Sequence, residues 1–466
     1  MTEVHARIRT LVDWATGHGA VLHAKVQVYH DASTGLSLRV APTASEPLAP
    51  WTPIVSLPTG LSLSYLNARE RFPDALLARL PRYVVGRLLL AHEFLEGRNS
   101  FWWPYIQALP QPAHCAAWAL PPFWPPCEAE LLEGTNVEVG VQKIRLDVAA
   151  ELARVREALR PCQAPQSPWP SLQPLAHALA QSPTLYHWAY CIFSSRSFRP
   201  SLVLPEAHHD DFSVLLPVFD LGNHDMTTHV RWELDHAGRH CQLRVGRAHA
   251  PGQQIYNNYS MKTNAELLLG YGFMLPTTDH LHNDYTHVRK RTNAAPVASD
   301  EYLISLRPLS HASSMLARSR AKAPAPDHVL AAFCHVEPDM VWDMFCTLTA
   351  SHQRRHLLAS DTDHCRRAHF LAGRVDGAAR DYLVQTIAMI QHKVLQELQR
   401  LNETEVEVAG NNWALLTPNE RLALDYRDRC RKVLDNTLEA IARDGILADD
   451  VDADDAAHLD HHHPAD

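Results

Sequence analysis

Strand signals occur in two blocks far apart in the chain, and that separation constrains the fold more than any other feature. The first block, "KVQVYHDASTGLSLRV" from Lys25, reads as strand, turn at Asp31–Gly35 and strand. The second runs from Phe212 to Tyr259. In it "VRWELD" and "HCQLRV" flank "HAGR", a hairpin in which Gly238 supplies positive φ, and "APGQQIYNNY" is a Pro-Gly turn entering a strand. Between the blocks the pattern is helical: "LLARLPRYVVGRLLLAHEFL", the aromatic cluster "FWWPYIQALP", Pro-rich breaks at "PPFWPPCE" and "RPCQAPQSPWPSLQP", and a helix-like stretch from Tyr186 to Phe198. The prediction is a β-rich body interrupted by a helical insert.

A helical segment follows. "TNAELLLGYGF" opens on a capping box, Thr263 with Glu266 three residues on, and Gly270 and Gly272 stop the helix after about two turns. Leu383, Ile387, Ile390, Val394, Leu398 and Leu401, spaced 4, 3, 4, 4 and 3, form one apolar stripe. "TPNERLALDYRDRCRKVL" starts with Thr417 as cap, Pro418 at N1 and Glu420 at N3. The acidic tail, 447–466, is expected to be disordered.

With 466 residues the chain is too long for one ordinary core, and two or three domains are expected. A net charge of −9 argues against generic affinity for nucleic acid or anionic membranes; a basic partner such as a Lys- or Arg-rich tail would tolerate it. Nine scattered cysteines without a CxxC suggest neither a zinc cluster nor a disulfide framework, and no metal site is expected. The first residues have no signal-peptide core, and no apolar run reaches the ~18 residues needed to span a bilayer. The expected location is cytoplasm or nucleus.

The chemistry sits in "SSRSF" (Ser194–Phe198), "DLGNH" (Asp220–His224) and "YNNYSMKTNAELLLGYGF" (Tyr256–Phe273). Taken singly, His224 is an ordinary hydrogen-bonded core histidine and Tyr271 an ordinary helix-end aromatic. Taken in order, with "STGLSLRV", "FWWPYIQALP", "FWPPCEAELLEGT" and "LYHWAYCIFSSRSF", they resemble the SET-domain protein methyltransferases, in the subgroup typified by the Rubisco large-subunit lysine methyltransferase.

That resemblance implies an α+β fold: a SET domain of small β-sheets over 1–290 with a helical insert at 67–190, then an all-helical, substrate-binding-like domain over 296–446. It implies methyl transfer from S-adenosylmethionine to a lysine of a non-histone protein. The alternatives are a histidine target or an inactive protein-binding module. By the same resemblance Tyr271 and Tyr259 are catalytic. Thr34, Gly35, Leu36, Arg196, Asn223, His224 and Phe273 hold the cofactor. Asp220, Arg196, Trp232 and Tyr285 line the substrate channel. The sequence departs from the family at Ser37 and Ser260, where relatives usually carry glycine, and at Pro200, where the plant enzyme's pattern has arginine. Nothing in the sequence sets the oligomeric state.

Overall fold

The computed structural model describes residues 3–164, 166–206, 211–289, 301–321, 328–358, 362–406 and 413–447. The acidic tail from 448 onward lies outside the described residues. The chain divides into two compact units: Met1–Phe123, Gln142–Ser260 and Gly270–Gly272 form one; Trp124–Val141, Met261–Leu269 and Phe273–Asp466 form the other. The insert expected at 67–190 is thus shared, with Trp124–Val141 grouped with the second unit.

The first unit contains β1 (Val21–Leu22), β2 (Val26–Asp31), β3 (Gly35–Val40), β4 (Pro53–Pro58), β5 (Leu63–Ser64), β6 (Ser197–Phe198), β7 (Val214–Leu215), β8 (Val230–Leu234), β9 (His240–Val245) and β10 (Gln254–Ile255). They make three small sheets, in the orders β1-β4-β9-β8, β10-β3-β2 and β5-β7-β6. Each sheet joins strands that precede residue 67 to strands that follow residue 190, which is how the interrupted body closes. The β2–β3 hairpin turns at Asp31, whose Oδ1 accepts from Ser33 N (2.9 Å), Ser33 Oγ (2.6 Å) and Thr34 N (3.1 Å). These donors hold the Asp31 carboxyl at a pKa of about 2. Gly35 then takes φ +76°, open to glycine without strain. The β8–β9 hairpin pairs Val230 with Val245 and Leu234 with Cys241, with Gly238 at φ +66°.

The helices Arg82–Glu96 and Thr184–Arg196 are almost wholly apolar on their inner faces and pack together in the core. Trp188 is fully buried and its indole donates to Pro110 O at 2.7 Å. One charged cluster that they bury is closed on itself. Glu151 accepts from Arg87 at 2.5 Å and from the Tyr186 hydroxyl at 3.0 Å. Of the aromatic cluster, Trp102 and Tyr105 enter the core, whereas Phe101 is 37% exposed.

The second unit is mostly helical. Both capping boxes form: Thr263 N donates to Glu266 Oε2 at 2.7 Å, and Thr417 N to Glu420 Oε2 at 2.7 Å. The stripe buries Leu383, Ile387, Ile390, Val394 and Leu401 along helix Gly377–Glu403, leaving Leu398 part-exposed. This unit also holds a two-stranded ladder, β11 (Tyr285–Arg289) with β12 (Glu301–Ser305). No described helix is long and apolar enough to cross a membrane. All nine cysteines are free thiols.

Candidate functional site

The site begins where the second block threads along the first polar turn. After β7, Val218 adopts φ +68°, strained for a β-branched residue, and starts the short turn Phe219–Leu221. Asn223 O accepts from Asn257 N (2.7 Å), and Asp225 N donates to Asn257 O (2.9 Å), a parallel bridge that lays 257–259 beside 223–225. Gly222 permits this approach: a Cβ there would sit 2.9 Å from Asn257 Cβ. Tyr259 N donates to His224 Nδ1 (3.1 Å), and the Tyr259 hydroxyl donates to Gly222 O (2.9 Å). Three rings then stack. His224 and Tyr259 lie 5.0 Å apart at 10°, and Tyr259 and Tyr271 lie 4.9 Å apart at 19°. Ser194 Oγ fastens the last segment by donating to Gly270 O at 3.0 Å.

A cleft of about 220 Å³ opens against this stack, lined among others by Arg196, Phe198, Asp220, Trp232, Asn257, Tyr259, Ser260 and Tyr271. Its charged element is Asp220, whose side chain is fully buried. Oδ2 accepts from the Tyr105 hydroxyl at 2.8 Å and faces Arg196 Nη1 at 3.4 Å. Oδ1 finds no hydrogen-bond donor among the described residues. Burial raises the Asp220 pKa, with the Arg196 guanidinium opposing it. Burial works against the Arg196 charge, but the Asp220 carboxylate outweighs it and raises that pKa. Burial also pushes the Tyr259 phenol up, so it stays protonated as a donor. A buried carboxylate oxygen still open, beside aromatic walls, suits a cation.

On the other side of Asn223 lies the β2–β3 turn. Asn223 Nδ2 donates to Thr34 Oγ1 (2.9 Å) and Ser37 Oγ (2.6 Å). A Cβ on Gly35 would meet nothing within 4 Å, so the turn leaves open space for a ligand. An amide, hydroxyls and exposed backbone groups suit the polar amino-acid end of S-adenosylmethionine.

No protein-family model matches the chain. Ribosomal lysine N-methyltransferase set10 of Schizosaccharomyces pombe is 28% identical over 279 residues, 57% of this chain and 45% of that protein. Protein-lysine N-methyltransferase EFM1 of Saccharomyces cerevisiae is 25% identical over 293 residues, 56% and 48% respectively. The actin-histidine N-methyltransferase of Canis lupus familiaris is 26% identical over 282 residues, 58% and 43%. The chain therefore spans about half the length of these curated relatives or less. The crystal structure of the SET domain of LSMT bound to lysine and AdoHcy superposes with a TM-score of 0.60 at 16% identity, covering 95% of this chain and 92% of that one. This chain has the fold of the Rubisco LSMT SET domain.

Within this SET-domain chain, ten of the twelve residues singled out from sequence belong to the first unit: Thr34, Gly35, Leu36, Arg196, Asp220, Asn223, His224, Trp232, Tyr259 and Tyr271. Five of them line the cleft, and Asn223 reaches from the threaded strand to the Thr34 turn. The other two belong to the second unit. Phe273 follows the helix Asn264–Tyr271, and Tyr285 is buried in β11, stacked on His282 at 4.8 Å. Neither lines the cleft. Sequence reading missed Asn257, whose Oδ1 accepts from the Trp232 indole at 3.0 Å, and Tyr105, which holds Asp220. The doubled asparagine in "YNNYS" was a usable signal for Asn257. Tyr105 gave none, lying 115 residues from its partner. Among the described residues no group of three or more His, Cys, Asp or Glu is placed to hold a metal ion.

Proposed function

We propose that this protein transfers a methyl group from S-adenosylmethionine to a lysine side chain of a non-histone protein. The observation that carries the reading is the His224–Tyr259–Tyr271 stack, with Arg196, Asp220 and Trp232 around the same cleft. S-adenosylmethionine, when bound, supplies an electrophilic methyl on a sulfonium. The turn at Thr34, Gly35 and Leu36, with Asn223, His224 and Arg196, holds it; Asp220 and Trp232 receive the incoming side chain.

Lysine enters as an ammonium without a lone pair. With a pKa near 10.4, presenting the neutral amine at pH 7 costs about 4–5 kcal/mol. Aromatic walls lower that cost by stripping water from the ammonium while tolerating its charge. The Tyr259 hydroxyl gives its proton to Gly222 O, so its oxygen is free to act as an acceptor. Tyr271 orients the amine, and alignment then supplies most of the rate. The substrate is a protein, met in the cytoplasm or nucleus.

The test is incubation with isotopically labelled cofactor in a lysate lacking this protein, then mass spectrometry of the labelled species. Label on lysine is expected. Label on histidine would replace this reading with that of the actin-histidine relatives. Cofactor binding by calorimetry with no label anywhere would leave an inactive binding module.

A further inference from the structure

Ser37 is fully buried and bonded to the residue proposed to hold the cofactor. Its surroundings favour one arrangement of the protons. Gly35 O is a carbonyl and can only accept, and Ser37 Oγ donates to it at 3.3 Å. The Ser37 oxygen is then left to accept, and it does so from Asn223 Nδ2 at 2.6 Å. Thr34 Oγ1 accepts the second amide hydrogen at 2.9 Å and lies 3.2 Å from Ser37 Oγ, to which it can donate. In this arrangement four hydrogen bonds form and both amide hydrogens are used.

Turning the Asn223 amide over would leave both hydroxyls donating to one oxygen and would take the donor from Gly35 O. With glycine at 37 only Thr34 would remain, and a lone hydroxyl serves either amide orientation. The serine therefore biases the amide towards one face. Its Nδ2 is held against the hairpin, and its Oδ1, which can only accept, is turned away from it.

We propose that Ser37 is a positioning residue that sets the polarity of the Asn223 amide, so that the site recognises a ligand's protonated amine rather than its carboxylate. This rests on the transferase reading above and names the part of the cofactor that Asn223 reads. Ser37 thereby strengthens selection for the amine.

The experiment is calorimetry on the full chain with two ligands, S-adenosylhomocysteine and its analogue in which the α-amino group is replaced by hydrogen. Ser37→Ala and Ser37→Gly are compared with wild type, with thermal melting as the check on folding. Both variants should bind S-adenosylhomocysteine about five- to tenfold more weakly, the size of one oriented hydrogen bond, and bind the deaminated analogue within twofold of wild type. An equal loss for both ligands, or no loss for S-adenosylhomocysteine, would overturn the assignment of Ser37 alone. Failure of the wild type to bind either ligand would overturn the transferase reading, and this one with it.

Discussion

Ser260 and Tyr271 show how much single residues decide at this site. Ser260 follows the stacked Tyr259 and holds φ +84°, with its N–H donated to Asn258 Oδ1 at 2.8 Å. A non-glycine residue there costs about 1–2 kcal/mol, while glycine adds about 0.5–1 kcal/mol of unfolded-chain entropy. Ser260→Gly should therefore stabilise the protein by about 0.5–1 kcal/mol, read from urea midpoints at unchanged slope; a destabilised variant would mean that the serine side chain contributes more than its backbone strain costs. Tyr271 caps the ring stack. Tyr271→Phe keeps the ring and removes the hydroxyl, so transfer should fall about 10²-fold while melting temperature and cofactor affinity stay near wild type. Single-turnover rates alongside calorimetry check this, and full activity in the variant would remove Tyr271 from its role.

At the scale of elements, the buried Arg87–Glu151–Tyr186 cluster ties Arg87 of helix Arg82–Glu96 and Tyr186 of helix Thr184–Arg196 to a third helical segment, through Glu151. Removing one member leaves a charge without its partner. Glu151→Ala should cost about 3–5 kcal/mol, and Glu151→Gln less, since it keeps the volume and one acceptor. Chemical denaturation of the two variants would separate the charge from the packing. Elements of this length were legible in the sequence because their periods repeat: the Leu383–Leu401 stripe, the two capping boxes and the hairpin at Gly238 all follow from local pattern. The two-residue strands β5, β6 and β7 were not, since two residues carry no period. The candidate site was legible only where ordered motifs marked it. The Tyr105–Asp220 bond exists through packing between distant segments, and no local pattern encodes it; the doubled asparagine marks Asn257 but not its seat against Trp232.

For the whole molecule, the 30 histidines matter through the few that are buried. Burial lowers the pKa of His92, His187, His249, His282 and His335, taking His187 and His282 to about 4. Each is harder to protonate in the folded chain than in the unfolded one, which takes up protons below the ordinary pKa near 6.5. The unfolded state thus binds more protons, and stability falls as pH drops from 6.5 towards 4, by on the order of 3 kcal/mol for fully buried His282 alone. Asp220 opposes this, because its raised pKa stabilises the fold at low pH and is lost as pH rises. Five histidines outweigh one carboxyl, so the urea midpoint should drop between pH 7 and pH 5; a flat profile would refute the sum. The parallel bridge of His224 to Asn257 has a further effect, on the order of events during synthesis. The cleft draws on residues from Tyr105 to Tyr271. A ribosome that has delivered the Asn223–His224 turn has delivered only half of that cleft, and the wall of Trp232, Asn257, Tyr259 and Tyr271 is complete only after Tyr271 has cleared the exit tunnel.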